Sequence, residues 1–263
     1  MRKYLVIGNP IDHSLSPKLH NYWIKDNNIN AVYEKKKIEV NEIGDIILNI
    51  KKKKINGINV TVPFKKEVIS YLDQLSPEAQ ITQSVNTISL DNDKIVGHNT
   101  DTEGFRLAIE NKKFDLKNKE ILILGAGGVV PSLIFALKKM MVSNIFVSNR
   151  TRKKAENLKD SFQYIKIIDW GNVPKVDMVI NATSLGLNKE DNLGLDFSKI
   201  GKNKLFYDVI YNPKETKFLE LGKKLEHKTE NGKMMFVYQA SLAFKLWHGI
   251  NPKINEDVIE LLD

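Results

Sequence analysis

The chain has 263 residues, 42% of them hydrophobic and 27% charged, the composition of a soluble globular protein long enough for two modest domains and a sizeable core. Cysteine is absent, which excludes disulfides and thiolate metal sites and leads to a cytoplasmic expectation. The net charge of +8 suggests nucleic acid, but the lysines are scattered or lie in short runs such as Lys51–Lys54, without interleaved aromatics; attraction for small anions is the expected use, with neither nucleic acid nor a membrane as partner.

Tyr4-Leu5-Val6-Ile7-Gly8 reads as a short buried strand, with no leader segment expected before it. The polar loop that follows ends in Ser16-Pro17, a helix cap and a proline at the first helical position, and the helix is expected to run to about Asn27. Ser16 has an ordinary explanation as that cap; Ser14 has none. Two hydroxyls at a helix start beyond the end of a strand suit a carboxylate. Val32 to Ile38 reads as the next strand, and Ile43, Ile46, Ile47 and Ile50 mark one helix face. Gly57 to Pro63 reads as a strand that Pro63 must end, with Thr61 near its close. Phe64-Lys65-Lys66 is expected to open a helix through Leu72. A cation there opposes the helix dipole, which favours a functional reason for Lys65. Ser84–Ile88, containing Asn86, and Lys94–His98 pair as a hairpin around Asn92-Asp93; Asp101 follows, and a helix from Thr102 to Asn111 leads onward.

Ile121–Leu124 is a continuous apolar run, as in a strand buried on both faces of a parallel sheet. Gly125, Ala126, Gly127 and Gly128 then turn sharply into a helix that begins near Val129. Bare backbone and unpaired N–H groups at that helix start suit a pyrophosphate. The third glycine of the usual fingerprint is replaced by Val130. After the strand Ile145–Val147, a site for NAD would carry an acid for the ribose 2′-hydroxyl. The chain instead reads Ser148, Asn149, Arg150, Thr151, Arg152, Lys153, Lys154, and these cations fit the 2′-phosphate of NADP. A solvated basic turn is the competing reading for Lys153 and Lys154. Further strands are expected at Tyr164–Ile168, Asp177–Ile180 and Leu205–Val209, a helix from about Pro213 through Leu221, and apolar helices from Met234 to Trp247 and Ile254 to Leu262. The five histidines show no zinc-ligand spacing, and no metal is expected.

In order and spacing, Ser14-x-Ser16 with His20-Asn21, Asn59-Val60-Thr61-x-Pro63-x-Lys65, Val85-Asn86-Thr87 and Gly97-His98-Asn99-Thr100-Asp101 resemble the motif series of the shikimate dehydrogenases. Asn149-Arg150-Thr151, Asn181-Ala182-Thr183-Ser184-x-Gly186, Tyr207-Asp208-Val209-x-Tyr211-x-Pro213 and Gln239-Ala240 extend the resemblance over nearly the whole chain. The resemblance implies a two-domain α/β fold: an N-terminal α/β substrate domain, residues 1–101 completed by 233–263, and a Rossmann-type NADP-binding domain, residues 102–232, with the active-site cleft between them. It also implies the NADPH-dependent reduction of 3-dehydroshikimate to shikimate by a monomer or homodimer. In that reading Lys65 is the acid/base and Asp101 its partner; Ser14 and Ser16 take the substrate carboxylate. Thr61, Asn86, Asp101, Tyr211 and Gln239 bind its hydroxyls and ring, and Thr183, Val209 and Gly232 touch the cofactor. Quinate as substrate, or NAD as cofactor, is the nearest alternative. A regulator that had lost the chemistry would lack Lys65 or Asp101, and both are present.

Overall fold

The computed structural model describes residues 1–263, which divide into two compact units, Met1–Gly104 with Val237–Asp263, and Phe105–Phe236. The first unit begins β1 (Arg2–Gly8), α1 (Ser16–Asp26), β2 (Ala31–Lys37), α2 (Ile43–Lys51), β3 (Gly57–Val60), β4 (Gln74–Leu75), α3 (Pro77–Thr82), β5 (Thr87–Asp91), β6 (Lys94–His98), and then starts α4 (Asp101–Asn111). Its sheet has the order β2-β1-β3-β5-β6-β4; β1, β2 and β3 are parallel, and β5 runs antiparallel to its neighbours β3 and β6. The core forms because Ile43, Ile46, Ile47 and Ile50 recur at helical spacing on α2 and bury with Leu5, Ile7, Ile58 and Val60 of the sheet. Asn92 and Asp93 both have positive φ, 45° and 62°, as a tight two-residue hairpin between β5 and β6 requires.

The second unit contains β7 (Glu120–Leu124), α5 (Val130–Lys139), β8 (Asn144–Ser148), α6 (Arg152–Glu156), β9 (Lys166–Ile168), β10 (Met178–Asn181), β11 (Leu205–Asp208), α7 (Lys217–Lys224) and β12 (Lys228–Glu230). Every strand pair is parallel and the order is β12-β11-β10-β7-β8-β9. This is the doubly wound order, and it reverses between β7 and β10, so the crevice beyond their carboxyl ends is where such sheets take ligands. The chain continues into α8 (Lys233–His248) and α9 (Glu256–Glu260). From Val237 onward α8 belongs with the first unit, where Trp247 donates to Ile88 O at 3.1 Å; a Cβ on Gly57 would lie 2.3 Å from Trp247 Nε1, so only glycine admits the indole there. The sequence reading divides the chain after Asp101 and Gly232; the two units meet a few residues further along both helices, after Gly104 and Phe236.

Several elements depart from the sequence reading. The helix expected over Phe64–Leu72 is a turn followed by a short 3-10 segment, Glu67–Tyr71. Lys65 O accepts from Val85 N at 2.8 Å, so this carbonyl is tied to a distant segment and is not in an α-helical ladder. The dipole argument for Lys65 therefore falls. The helix expected after Pro213 begins only at Lys217, where the Thr216 side chain caps it. The basic loop after β8 winds into α6, and the polar stretch before Gly232 forms β12 by pairing with β11. The hairpin strand begins at Thr87, and not at Ser84.

Candidate functional site

In the first unit the sheet topology gathers one set of polar side chains. β1 and β3 end at the same edge; β5, being antiparallel, starts there, and β6 ends there. Residues just past β3, just before β5 and just past β6 therefore converge. Lys65 Nζ and Asp101 Oδ2 lie 2.6 Å apart, with side chains only 11% and 8% exposed. The other carboxylate oxygen, Oδ1, accepts from Asn86 Nδ2 at 2.9 Å, and the same amide reaches Thr100 Oγ1 at 2.9 Å and Gln239 Oε1 at 3.4 Å. Asn86 is fixed in turn because its Oδ1 accepts from Thr100 N at 2.8 Å. Each Asp101 oxygen thus has a donor, which allows a carboxylate to be buried beside a lysine.

Ser14 and Ser16 follow β1 at the same edge, where the capping expected of Ser16 is not found. Ser16 makes no cap; it is buried as the first residue of α1, and its N–H donates to Ser14 Oγ at 3.3 Å. The local structural role belongs to Ser14. Thr61, half-buried, follows β3 and lies against the end of β1, where a Cβ on Gly8 would meet its methyl at 2.5 Å. Sequence reasoning assigned no site role to Asn59, Thr87 or Tyr33. Tyr33 Oη donates to Asn59 Oδ1 at 2.6 Å, and Asn59 Nδ2 donates to Asn86 O at 3.1 Å and to Thr87 Oγ1 at 3.0 Å. The available signal was Asn59 itself, a polar residue in a strand every residue of which is buried. His98 lies outside the cluster, its ring bonded to Ser89 Oγ at 3.0 Å and its pKa lowered by burial; His13 is exposed.

The second unit holds the glycine turn. Gly125 has φ +116°, and a Cβ there would lie 2.7 Å from Ala182 O, so both dihedral and space demand glycine. Its N–H donates to Ser148 O at 2.8 Å, closing the turn onto the end of β8. Gly127 is exposed, with nothing within 4 Å of a Cβ position. The N–H groups of Ala126, Gly127 and Val129 donate to no acceptor within the chain, and α5 starts at Val130. Unpaired N–H groups at a helix start on the switch point of a doubly wound sheet fit a pyrophosphate. Val130 is fully buried, so the valine at the third fingerprint position is absorbed by core packing.

Thr183 follows β10, with its N–H and hydroxyl both donating to Asn181 Oδ1, at 3.1 and 2.7 Å. Past β8, Asn149 Nδ2 donates to Thr151 O at 2.9 Å; Arg150 is exposed and forms no ion pair. Arg152 is already bonded to Glu156 and Asp169, which sets it apart from Arg150. Thr151, Lys153 and Lys154 are exposed. Val209 abuts Gly232, where a Cβ would sit 2.1 Å from Val209 O. Tyr211 belongs to this unit and stacks on Phe236 at 4.4 Å, whereas the other residues expected on the substrate belong to the first. No group of three or more His, Cys, Asp or Glu side chains is placed to hold a metal, and no helix is long and apolar enough to cross a membrane.

Fold and site together define a two-unit α/β protein: a Rossmann-type unit with a glycine turn at its switch point, and a unit with a buried lysine–aspartate pair. The family model for the shikimate dehydrogenase substrate binding domain matches residues 6–88, and that for shikimate / quinate 5-dehydrogenase matches residues 107–192. The shikimate dehydrogenase (NADP(+)) of Pelagibacter ubique is 57% identical over 262 residues, covering 100% of this chain and 99% of its own. That of Caldicellulosiruptor saccharolyticus is 38% identical, covering 100% and 98%. The crystal structure of shikimate dehydrogenase from Aquifex aeolicus superposes with a TM-score of 0.89 at 36% identity, covering 100% of this chain and 97% of that one. The Thermus thermophilus enzyme in complex with NADP(H) and shikimate gives 0.90 at 29% identity, covering 100% and 98%. The chain belongs to the shikimate dehydrogenase family.

Proposed function

We propose that this protein is an NADP-dependent oxidoreductase that reversibly reduces 3-dehydroshikimate to shikimate, a step of aromatic amino-acid biosynthesis. The observation that carries the reading is the buried Lys65–Asp101 pair at 2.6 Å in a chain 57% identical, end to end, to a protein of that activity. NADPH supplies the hydride when bound; the protein must place the ketone and handle one proton. Lys65 Nζ donates that proton to the carbonyl oxygen and takes it back in the reverse direction, and its charge stabilises the developing alkoxide. Asp101 holds the ammonium through Oδ2 while Asn86 holds Asp101 through Oδ1, so the donor is oriented before the substrate arrives. Asn86, Thr61, Tyr211 and Gln239 offer partners to the substrate hydroxyls and ring, and Ser14 and Ser16 to its carboxylate. In the other unit Gly125–Val129 would cradle the pyrophosphate, and Arg150 with Asn149 and Thr151 would take the 2′-phosphate, Arg150, unlike Arg152, having no competing carboxylate. Thr183, Val209 and Gly232 complete the cofactor contacts.

The test is a spectrophotometric assay of shikimate oxidation with NADP and NAD side by side, followed by quinate. Turnover of shikimate with a clear preference for NADP is expected. No turnover with either cofactor refutes the activity, and a preference for NAD refutes the assignment of Arg150.

A further inference from the structure

Asp208, at the end of β11, is fully buried with no cation among its partners. Its carboxylate is satisfied entirely by neutral donors, from the end of β10 and from the loop that follows β11. On one side Asn181 Nδ2 reaches Oδ1 at 3.2 Å and Oδ2 at 3.1 Å. On the other, Ile210 N donates to Oδ1 at 3.0 Å and Thr216 Oγ1 to Oδ2 at 2.6 Å. Burial raises the Asp208 pKa to about 6, against the pull of those hydrogen bonds.

The Asn181 contact has a directional consequence. An amide cannot turn its NH2 toward a carboxylate without turning its oxygen the opposite way. Asn181 Oδ1 therefore faces Thr183 and accepts both its N–H and its hydroxyl. With its proton committed, Thr183 Oγ1 accepts from Leu185 N at 3.0 Å, while Asn181 Nδ2 also donates to Leu185 O at 3.0 Å. The loop after β10 is thus shaped from beneath, and it is the loop whose Ala182 carbonyl lies against Gly125 at the switch point. The second loop, Val209 to Thr216, is held by the same carboxylate and abuts Gly232 through Val209.

We propose that Asp208 is a positioning residue for the dinucleotide site: through Asn181 it sets the hydroxyl and backbone of Thr183, and through Ile210 and Thr216 it sets the strap that begins at Val209. The proposal rests on the cofactor reading above but makes a claim about loop order that stands without it.

Asp208→Ala removes the acceptor for both loops. Asp208→Asn keeps one acceptor oxygen, for Ile210 and Asn181, and the Thr216 hydroxyl can rotate to accept from the new NH2, but that NH2 also faces the Asn181 amide nitrogen, which sits 3.1 Å from the Oδ2 it replaces. Asn181→Ala leaves Asp208 in place and cuts only the relay to Thr183. Two readouts apply to the full-length protein: amide hydrogen exchange over 182–186 and 209–216, and the Kd for NADPH by nicotinamide fluorescence. Expected for Asp208→Ala is faster exchange in both loops and a Kd raised about tenfold or more, the KM for shikimate changing far less. Asp208→Asn should recover the order of 209–216 and part of the affinity. Asn181→Ala should loosen 182–186 alone, and it carries the test if Asp208→Ala does not fold. Wild-type exchange in both loops with unchanged Kd overturns the proposal, as does loosening of 209–216 by Asn181→Ala to the same extent as 182–186. If the wild-type protein binds no NADPH while the exchange pattern appears as described, the cofactor reading fails and the positioning role survives.

Discussion

His20 makes the stability of the first unit sensitive to acid by an amount that can be worked out. Its imidazole is fully buried, stacked flat on Tyr33 at 4.2 Å with an interplanar angle of 3°, and edged by Trp23 at 5.8 Å. Burial first, and the nearby His248 second, lower its pKa from 6.5 to about 3. The folded state therefore refuses a proton that the unfolded state accepts. Stability from this group is complete above the unfolded pKa and is lost as pH falls from about 6.5 toward 3. Each pH unit in that window removes about 1.4 kcal/mol, so moving from pH 7 to pH 5 costs about 2 kcal/mol and the whole window roughly 5 kcal/mol. His248, whose pKa is lowered to about 4 by burial and Arg2, acts in the same direction. Buffered urea unfolding at pH 7, 6 and 5 measures the slope, and His20→Phe isolates the His20 share because it keeps a stacked ring and cannot titrate. The variant should lose about 2 kcal/mol less than the wild type between pH 7 and pH 5. Equal losses in both would refute the claim that His20 remains neutral in the fold.

Lys65→Ala should lower turnover by on the order of 10²–10⁴ with a much smaller change in substrate KM, as expected when a group acts on the proton and not on uniform binding; retention of most turnover in steady-state kinetics would remove Lys65 from the chemistry. Arg150→Asp should weaken NADPH by roughly 10–100-fold, the worth of a charge-assisted contact, with little effect on NADH; equal losses in titrations of both would refute the 2′-phosphate assignment. Ser14→Ala should raise the substrate KM and also lower the melting temperature, since Ser14 Oγ accepts from Ser16 N; an unchanged KM would leave Ser14 with the structural role alone. In Gly104→Ala the new Cβ would lie 2.8 Å from the backbone N and Cβ of Gln239, so thermal unfolding should show a loss of about 1–3 kcal/mol from overpacking; wild-type stability would mean that α8 shifts freely.

The chain's pattern alone settled what depends on local periodicity and on backbone stereochemistry. The continuous run Ile121–Leu124 is a strand in the middle of a parallel sheet, the isoleucines of α2 all bury, and Asn92-Asp93 turns a hairpin with both φ values positive. The glycine at 125 was legible because its dihedral lies where other residues are strained. Tertiary structure decided whatever depends on a partner distant in sequence. Lys65 leaves the helical ladder because Val85 claims its carbonyl, and Lys228–Glu230 becomes a strand only because β11 lies beside it. The sequence singled out Arg150 by its place in the Asn149-Arg150-Thr151 motif but left Arg152 among the candidate cations; Asp169, which joins Arg152 from beyond the next strand, shows that Arg152 is already paired. The same holds for the polar core of each unit: Asn86 between Asp101 and Gln239, and Asp208 between Asn181 and Thr216, are single side chains satisfied by segments from elsewhere in the chain. A buried polar group takes its partners wherever the fold delivers them, and sequence spacing carries no record of that delivery.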